Sequence, residues 1–431
     1  MEGFTLHSIQ CILFSTMTHT EFTGAPAALD GLRIIEIASP LTSYCGKMFG
    51  DLGADVLLVE PVDGCRMRRE APFVANQPGL GSSLAFAYHN TSKRGITLNL
   101  ECAEGQALFR RLAAKADLVL EGEQPGAMAR RRLGFDALAS GNRRLVMTSI
   151  TPFGQDGPYA QFVAEDLIGL AMGGLLYLGG YPDTAPTRVW GNQAYLCAAM
   201  YGAVAAMLAL THADLAGEGQ HIDVSMQECV VMAMETAVQY VDLEGTIRKR
   251  YAGEQRFAGT GVFECEDGYI YMMAGGIGAN KFWPSSLQWL IEEQVSSVER
   301  LRGPEWEKID YLQTEEAKRI FAEVFGPWAK HRTKAYLYHE GQRHHIPLAP
   351  INTTADIVAS RQLEHRRYFV HVPHAKRSEP LLMPGAPYLL SATPWRISRR
   401  APELGEHNAE VYDALGLGTG ELQRLYGARV I

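Results

Sequence analysis

The sequence predicts an α/β protein in which a doubly wound, parallel β-sheet forms a large domain and a smaller α+β domain follows it. Three observations predict this fold. Short apolar runs alternate with helical stretches through the first half of the chain, as they do in β-α-β units. A hairpin signature and a change of composition appear in the second half. With 431 residues and 47% hydrophobic content, the chain can bury a large core.

The first half of the chain contains the elements of the large sheet. Strands are expected at 32–37, 56–59, 96–98, 118–120 and 145–150. An amphipathic helix is expected at 103–114. The apolar run 194–210 approaches the length of a membrane span, but Tyr195 and Tyr201 interrupt its many alanines. We therefore expect a buried helix there rather than a membrane-spanning one.

The second half contains the elements of the smaller domain. A strand at 221–224 follows a Gly-rich turn, and residues 261–274 alternate around Asp267-Gly268, as the two arms of a β-hairpin do. The hairpin leads into the glycine-rich stretch 275–278.

These elements predict three segments along the chain. The large domain takes residues 29–214, the smaller domain takes 215–344, and the proline-containing tail 345–431 returns to the large domain. The apolar stretch near the N-terminus lacks a preceding Lys or Arg and a clear cleavage site, so we expect no signal peptide and consider Met17 a possible start.

Composition limits the class of partner. A net charge of −8 and a pI near 5.9 disfavour nonspecific nucleic-acid binding, although a local basic pocket for an anionic ligand remains compatible with them. The seven cysteines form no CxxC pair, so neither a disulfide framework nor a zinc ribbon is expected. A reducing, cytoplasmic location fits this pattern best.

Common catalytic and cofactor motifs are absent from the sequence. Residues 38–41 follow the first strand and read ASPL, so the glycine-rich turn of a standard nicotinamide or flavin site is missing. The sequence also lacks GxSxG, HExxH and P-loop motifs, and no metal site is expected.

Basic residues follow or precede several strands of the predicted sheet. They form three clusters, which are Arg66, Arg68 and Arg69; Lys93 and Arg94; and Arg130, Arg131 and Arg132. Each cluster alone is more typical of a solvated surface. Three clusters on successive connections of one parallel sheet also suit a shared site for an anionic ligand, because phosphates need fixed cations.

Several longer strings together resemble the family III CoA transferases, a family that includes carnitine CoA transferase, formyl-CoA transferase and α-methylacyl-CoA racemase. These strings are LDGLRI at 29–34, GDLGADV at 50–56, SKRGITLNL at 92–100, QPG at 124–126, FGQDGP at 153–158, GEGQ at 217–220 and LGEH at 404–407. The resemblance thus spans nearly the whole chain from residue 29.

The resemblance implies a Rossmann-like large domain, a smaller domain, and two subunits threaded through each other as an interlocked dimer. It implies that a CoA thioester is the substrate and that no cofactor is bound permanently. The candidate CoA contacts are Arg68, Lys93, Arg94 and Arg130. The stretch with Gly275, Gly276 and Gly278 resembles the family's glycine loop over the acyl thioester, although a simple connector from strand to helix has the same pattern.

The nucleophile of the family is an aspartate that follows a glycine just before a helix. In this sequence that position reads Gly191-Asn192. An amide does not attack a thioester as a carboxylate does. Asp166 is a second candidate, since the family usually has a carboxylate there, but it could equally cap the helix that follows it. The racemase branch has His-Asp where this chain has Glu165-Asp166, and Cys65 replaces a residue that is usually acidic.

The resemblance therefore implies a CoA transferase acting on an organic acid and an acyl-CoA such as succinyl-CoA, in which this chain is the subunit without the nucleophile. A homologous subunit would supply the aspartate, as in the two-subunit benzylsuccinate CoA transferase. Two alternatives stay open at this point. One is a homodimer that performs isomerisation, racemisation or elimination on an acyl-CoA, and the other is a non-catalytic acyl-CoA-binding protein. No membrane or nucleic-acid partner is expected.

Overall fold

The apolar runs expected as strands form a six-stranded sheet in the computed structural model, which describes residues 26–275 and 281–431. Its strands are β1 (Arg33–Ile37), β2 (Asp55–Glu60), β3 (Lys93–Thr97), β4 (Leu118–Glu121), β5 (Val146–Thr151) and β6 (His221–Ser225). Their order is β3-β2-β1-β4-β5-β6. β1 pairs in parallel with both β2 and β4, and β2 pairs in parallel with β3. This is the Rossmann-type order, so the predicted fold class is confirmed.

Strands β1, β2 and β4 are almost entirely buried because helices cover the sheet, which is why each contains a short apolar run in the sequence. One face packs Ile35, Leu57 and Val119 against helical residues such as Phe109 and Tyr412. The described helices are α1 (Ser43–Asp51), α2 (Leu84–His89), α3 (Ala103–Ala113), α4 (Ala127–Arg130), α5 (Phe135–Ala139), α6 (Asp166–Met172), α7 (Gln193–Ala216), α8 (Met226–Met232), α9 (Ala237–Glu244), α10 (Trp283–Glu292), α11 (Ile309–Leu312), α12 (Glu315–Ala329), α13 (Lys334–Arg343), α14 (Thr354–Val358), α15 (Arg361–His365), α16 (Asn408–Asp413) and α17 (Thr419–Gly427).

The predicted hairpin is confirmed, but its two connecting residues are Glu266 and Asp267 rather than Asp267 and Gly268. β7 (Thr260–Cys265) and β8 (Gly268–Met273) pair antiparallel with Cys265 opposite Gly268, and β9 (Leu348–Ile351) adds a third strand. This sheet has its own core, which contains the buried indoles of Trp289 and Trp306. A separate two-stranded sheet pairs β10 (Phe369–Val372) with β11 (Leu381–Pro384).

The strand expected at 221–224 does not open the smaller domain. It is β6, at the edge of the six-stranded sheet. Only the last two residues of β6 are buried. Its sequence pattern therefore does not show whether the strand belongs to the edge of the large sheet or to the smaller domain.

The long helix α7 is buried along one face only. Ala194, Ala198 and Ala206 are fully buried, whereas Val204 is 60% and Leu208 is 69% exposed. The helix is long and apolar enough to cross a membrane by length and composition, and 39% of its most apolar stretch is buried within the protein. The expectation of a buried helix therefore describes its alanine face and not the opposite one.

The described chain forms two compact units. The first contains residues up to 148, 203–222 and 370–431, and the second contains 149–202 and 223–369. The sequence-based boundaries of 29–214, 215–344 and 345–431 for the large domain, the smaller domain and the C-terminal return remain a prediction. The expectation for the N-terminal stretch concerns residues outside the described part of the chain.

Candidate functional site

The candidate nucleophile position lies at the start of α7. Gly191 has a φ of +85°, a left-handed conformation that glycine adopts without strain. Asn192 follows it, is exposed, and its carbonyl accepts the first hydrogen bond of the helix, from Leu196 N at 3.1 Å. Asn192 therefore occupies the N-cap of a helix of 24 residues, and its side chain carries an amide rather than a carboxylate.

Asp166 lies at the same helix terminus. Its Oδ1 accepts hydrogen bonds from Ala194 N at 2.7 Å and Tyr195 N at 3.1 Å. One alternative was that Asp166 caps its own helix. The structure does not show this cap, because Asp166 is the first residue of α6 and its side chain turns towards α7. Sequence spacing gives no signal for this contact, since 28 residues separate Asp166 from Ala194.

The carboxyl group of Asp166 is buried, with 4% of the residue exposed. Burial raises its pKa, and the hydrogen bonds from Tyr195 N and Ala194 N oppose this effect. Its Oδ2 has no hydrogen-bond partner within the described residues. Two backbone N-H groups at the start of α7 are thus already bound to a carboxylate, so they are not available to stabilise an oxyanion formed at position 192.

Arg68, a candidate CoA contact, is a buried residue with partners inside the protein. Its Nε and Nη2 each donate to the carboxylate of Glu60 at 2.7 Å. Its Nη2 also donates to the carbonyl of Pro402 at 2.9 Å, and its Nη1 donates to that of Leu80 at 3.3 Å. The guanidinium stacks on the Phe86 ring, 3.9 Å from the centroid. These contacts make Arg68 part of the core, while its role towards CoA remains a prediction.

Lys93 is also fully buried. Its ammonium forms an ion pair with Glu36 at 2.7 Å and donates to Ser43 O at 2.8 Å and Asn90 Oδ1 at 2.9 Å. Burial raises the pKa of Glu36 and lowers that of Lys93, and their mutual attraction opposes both shifts. A Cβ at Gly46 would lie 1.7 Å from Glu36 Oε2, so glycine is required at that position.

Arg94 lies nearer the surface than Arg68 and Lys93. Its guanidinium donates to both oxygens of Asp55 at 2.9 and 2.6 Å and to Glu410 at 2.8 Å. The hydrogen bonds to these two carboxylates raise the pKa of Arg94, against the effect of its partial burial. The sequence predicted Arg94 as a contact of an anionic ligand, but it gave no sign that Asp55 and Glu410 already neutralise this arginine.

Arg130 has the opposite environment. It ends the short helix α4, which follows a left-handed Gly126 with a φ of +80°, and its side chain is exposed. In the described parts of the chain, Arg130 forms no ion pair. The neighbouring Arg131 is held by Glu101 and Glu123. Of the four candidate CoA contacts, Arg130 thus has the guanidinium that is free to meet an external anion.

The glycine loop is described only in part. Gly275 exchanges two hydrogen bonds with the Thr260 side chain, with Oγ1 donating to its carbonyl at 2.5 Å and accepting from its N-H at 3.3 Å. Gly276 and Gly278 lie outside the described residues. The structure therefore fixes where this loop begins, and its role over an acyl group remains a prediction.

Six cysteines are described, and all are free thiols. Cys65, at the position that is usually acidic in the family, is buried, and burial raises the pKa of its thiol to about 12. A thiol with this pKa is protonated at neutral pH, so Cys65 does not act as a nucleophile in place of the aspartate expected at position 192.

Comparison with known proteins decides the family. The description of the matching family model is CoA-transferase family III, and the match covers residues 29–408. The chain belongs to this family. It is therefore a CoA-transferase polypeptide whose N-cap residue at α7 is asparagine.

Individual relatives cover almost the whole chain. The BbsE subunit of succinyl-CoA:(R)-benzylsuccinate CoA-transferase from Thauera aromatica is 37% identical over 395 residues, which are 91% of this chain and 95% of the relative. The beta subunit of succinyl-CoA–L-malate CoA-transferase from Chloroflexus aurantiacus is 30% identical and covers 94% and 98%. The crystal structure of a CAIB/BAIF family protein from Brucella suis has a TM-score of 0.79 at 26% identity, covering 90% of this chain and all of that one.

Proposed function

We propose that this chain is the subunit without the nucleophile in a heteromeric transferase that moves CoA between succinyl-CoA and an organic acid in the cytoplasm. The observation that carries the proposal is Asn192 at the N-cap of α7, where the family places an aspartate. Two relatives support it, because each is named as one subunit of a succinyl-CoA-dependent transferase. The free cysteines are compatible with a reducing compartment.

The chemistry explains why asparagine matters. In the family, an aspartate carboxylate attacks the thioester carbonyl and releases the CoA thiolate, which leaves an acyl anhydride on the enzyme. The thiolate then attacks the aspartyl carbonyl and releases the first acid. The second acid repeats these steps in reverse order and leaves as the new thioester. The first step needs an ionised carboxylate on the enzyme, and the neutral amide of Asn192 has no equivalent nucleophilic oxygen anion.

A partner chain is supported by the apolar surface of the second unit. Val163 is 82% exposed, Trp190 is 91% exposed and Leu243 is 79% exposed. Large apolar side chains that are exposed in this number are typical of protein interfaces. We propose that a homologous subunit covers them in an interlocked dimer and supplies the catalytic aspartate.

The isolated chain is expected to transfer no CoA from succinyl-CoA to any acid, because the anhydride cannot form at Asn192. Borohydride or hydroxylamine trapping should detect no thioester on this chain. The same assays on the chain co-expressed with a homologue that has Gly-Asp at the equivalent turn should show transfer, with the label on the homologue. Full activity of the wild-type chain purified without a partner would contradict the heteromer.

The residue that carries the trapped thioester also tests whether Asp166 acts as the nucleophile. Label on Asp166 in a trapping experiment would make that residue the nucleophile. The structure offers a reason to expect no label there, since Asp166 Oδ1 is bound to two backbone N-H groups.

Replacing Arg130 with Gln is expected to weaken CoA binding by about 1.5–3 kcal/mol, the usual contribution of a hydrogen bond to a charged group. The loss should shrink as salt rises, because an exposed guanidinium is screened. Calorimetric titration with CoA at two salt concentrations measures both effects. Lys115→Gln is the matched control, since it removes one exposed positive charge from the same unit. Equal affinities of the two variants would exclude Arg130 as a CoA contact.

A further inference from the structure

The turn between β10 and β11 is basic although the protein as a whole is acidic. Between residues 370 and 400 the sequence has five Lys or Arg residues and one acidic residue, in a chain of net charge −8. We call residues 373–380 the basic turn. It contains His374, Lys376 and Arg377, and its acidic residue is Glu379.

Several of these cations lie close to one another. The pKa of His374 is lowered first by burial and then by the positive charges of Arg377, Arg400 and Lys376, with Glu403 acting in the opposite direction. Like charges that converge on one point repel each other, and the repulsion is relieved when an anion binds between them.

The carboxylates of the protein only partly neutralise this group. Arg400 is fully paired, with Glu406 at 2.9 and 3.0 Å. Arg377 is 3.8 Å from Glu379, whose side chain is 83% exposed, so this contact is loose. Within the described residues, Lys376 has no carboxylate at ion-pair distance. Lys376 and Arg377 therefore keep most of their charge available for a ligand.

The basic turn faces a second segment across an open surface depression. The opposing loop, residues 74–81, supplies Val74 and Ala75 to its wall, and residues 376–379 supply the rest. Ala75 and Asn76 have φ angles of +53° and +55°, a left-handed conformation that costs energy for residues other than glycine.

The stem of Lys376 lies along the glycines of the opposing loop. A Cβ on Gly81 would be 3.1 Å from Lys376 Cε, and a Cβ on Gly79 would be 3.4 Å from its Nζ. The two glycines thus leave room for the lysine, which directs its ammonium towards this loop. A cation held in a defined place pays less entropy on binding an anion than a freely moving surface lysine does.

We propose that the basic turn and the opposing loop form a binding site for an oxyanion group of the transferase substrates, with Lys376 and Arg377 as its cations. The nature of the ligand rests on the proposed function. Succinyl-CoA keeps one carboxylate that is not esterified to CoA, and CoA itself carries phosphates. Both groups are oxyanions that accept hydrogen bonds from an ammonium and a guanidinium.

The test compares Lys376→Gln with Lys115→Gln, which removes one exposed positive charge from the same unit outside this site. Each variant, purified together with any partner chain, is titrated calorimetrically with succinate, with butyrate and with CoA. We expect the Lys376 variant to bind succinate or CoA about tenfold more weakly than the control does. Lys376→Arg keeps the charge and should restore most of the affinity. Thermal unfolding of all three variants checks that each is folded.

The ligand that loses affinity identifies the source of the oxyanion. A loss for succinate but not for butyrate assigns the site to the free carboxylate of a dicarboxylic acid, and a loss for CoA alone assigns it to a phosphate. Unchanged affinity for both ligands overturns the inference. These titrations require no turnover, so their failure is separate from that of the proposed function, which is tested by transfer and trapping assays.

Discussion

Replacing Arg68 with Ala is expected to lower the free energy of unfolding by about 3–5 kcal/mol, because it leaves the Glu60 carboxylate buried without its cation. Arg68 is 1% and Glu60 is 1% exposed, and two hydrogen bonds of 2.7 Å join them. The substitution also removes the guanidinium from the Phe86 ring and leaves the carbonyl of Pro402 without a donor. Urea denaturation followed by tryptophan fluorescence measures the change.

Two further variants separate the buried charge from other effects. Arg94→Ala removes an arginine whose partners are mostly exposed, so its cost should be no more than about 1 kcal/mol. Combining Arg68→Met with Glu60→Leu removes both charges, and we expect this pair to be more stable than Arg68→Ala. A stable Arg68→Ala protein with weakened CoA binding would contradict the structural role and restore the sequence-based role of this residue as a CoA contact.

The sequence predicted the large sheet because its strands are buried on both sides. Burial of both faces favours apolar residues, and the largely apolar runs at 32–37 and 145–150 are visible without any knowledge of neighbours, although Glu36 and Thr148 interrupt them. The hairpin was equally visible, since a two-residue connection and alternation on both sides are local features. The place of β6 was not visible, because its pairing depends on contacts across 70 and more residues of chain.

The candidate site was predictable to the extent that it is local. The turn Gly191-Asn192 before an apolar helical run marks the helix start, and the structure places Asn192 there. The partners of the cations were not predictable, since a run of basic residues has the same composition whether solvent or a buried carboxylate faces it. Glu60 precedes Arg68 by only eight residues, but their pairing depends on the turn that follows β2, and Glu36 becomes the partner of Lys93 only when the fold brings separate segments together. The contact of Asp166 with α7 is hidden for the same reason.

Substituting Asn192 with Asp is expected to create a trappable thioester on this chain when the partner's nucleophilic aspartate has been replaced by Asn. Asn and Asp have nearly the same shape, so the N-cap conformation and the left-handed Gly191 should persist. The wild-type chain with the same inactive partner should yield no thioester. Comparing the two complexes by borohydride trapping isolates the effect of one carboxylate.

The new carboxylate would lie at the helix terminus where Asp166 already binds Ala194 N and Tyr195 N. Two carboxylates near each other do not ionise independently, and their repulsion raises the higher of the two apparent pKa values. The attacking group must be ionised, so trapping in the Asn192→Asp complex should increase as pH rises through the upper apparent pKa of the two carboxyl groups. Adding Asp166→Asn keeps an oxygen to accept the helix N-H groups but removes its charge, which should move the profile to lower pH.

Absence of any thioester across this pH range would mean that the chain has lost its acyl site and not merely its nucleophile. A profile unmoved by Asp166→Asn would show that the two carboxyl groups do not interact.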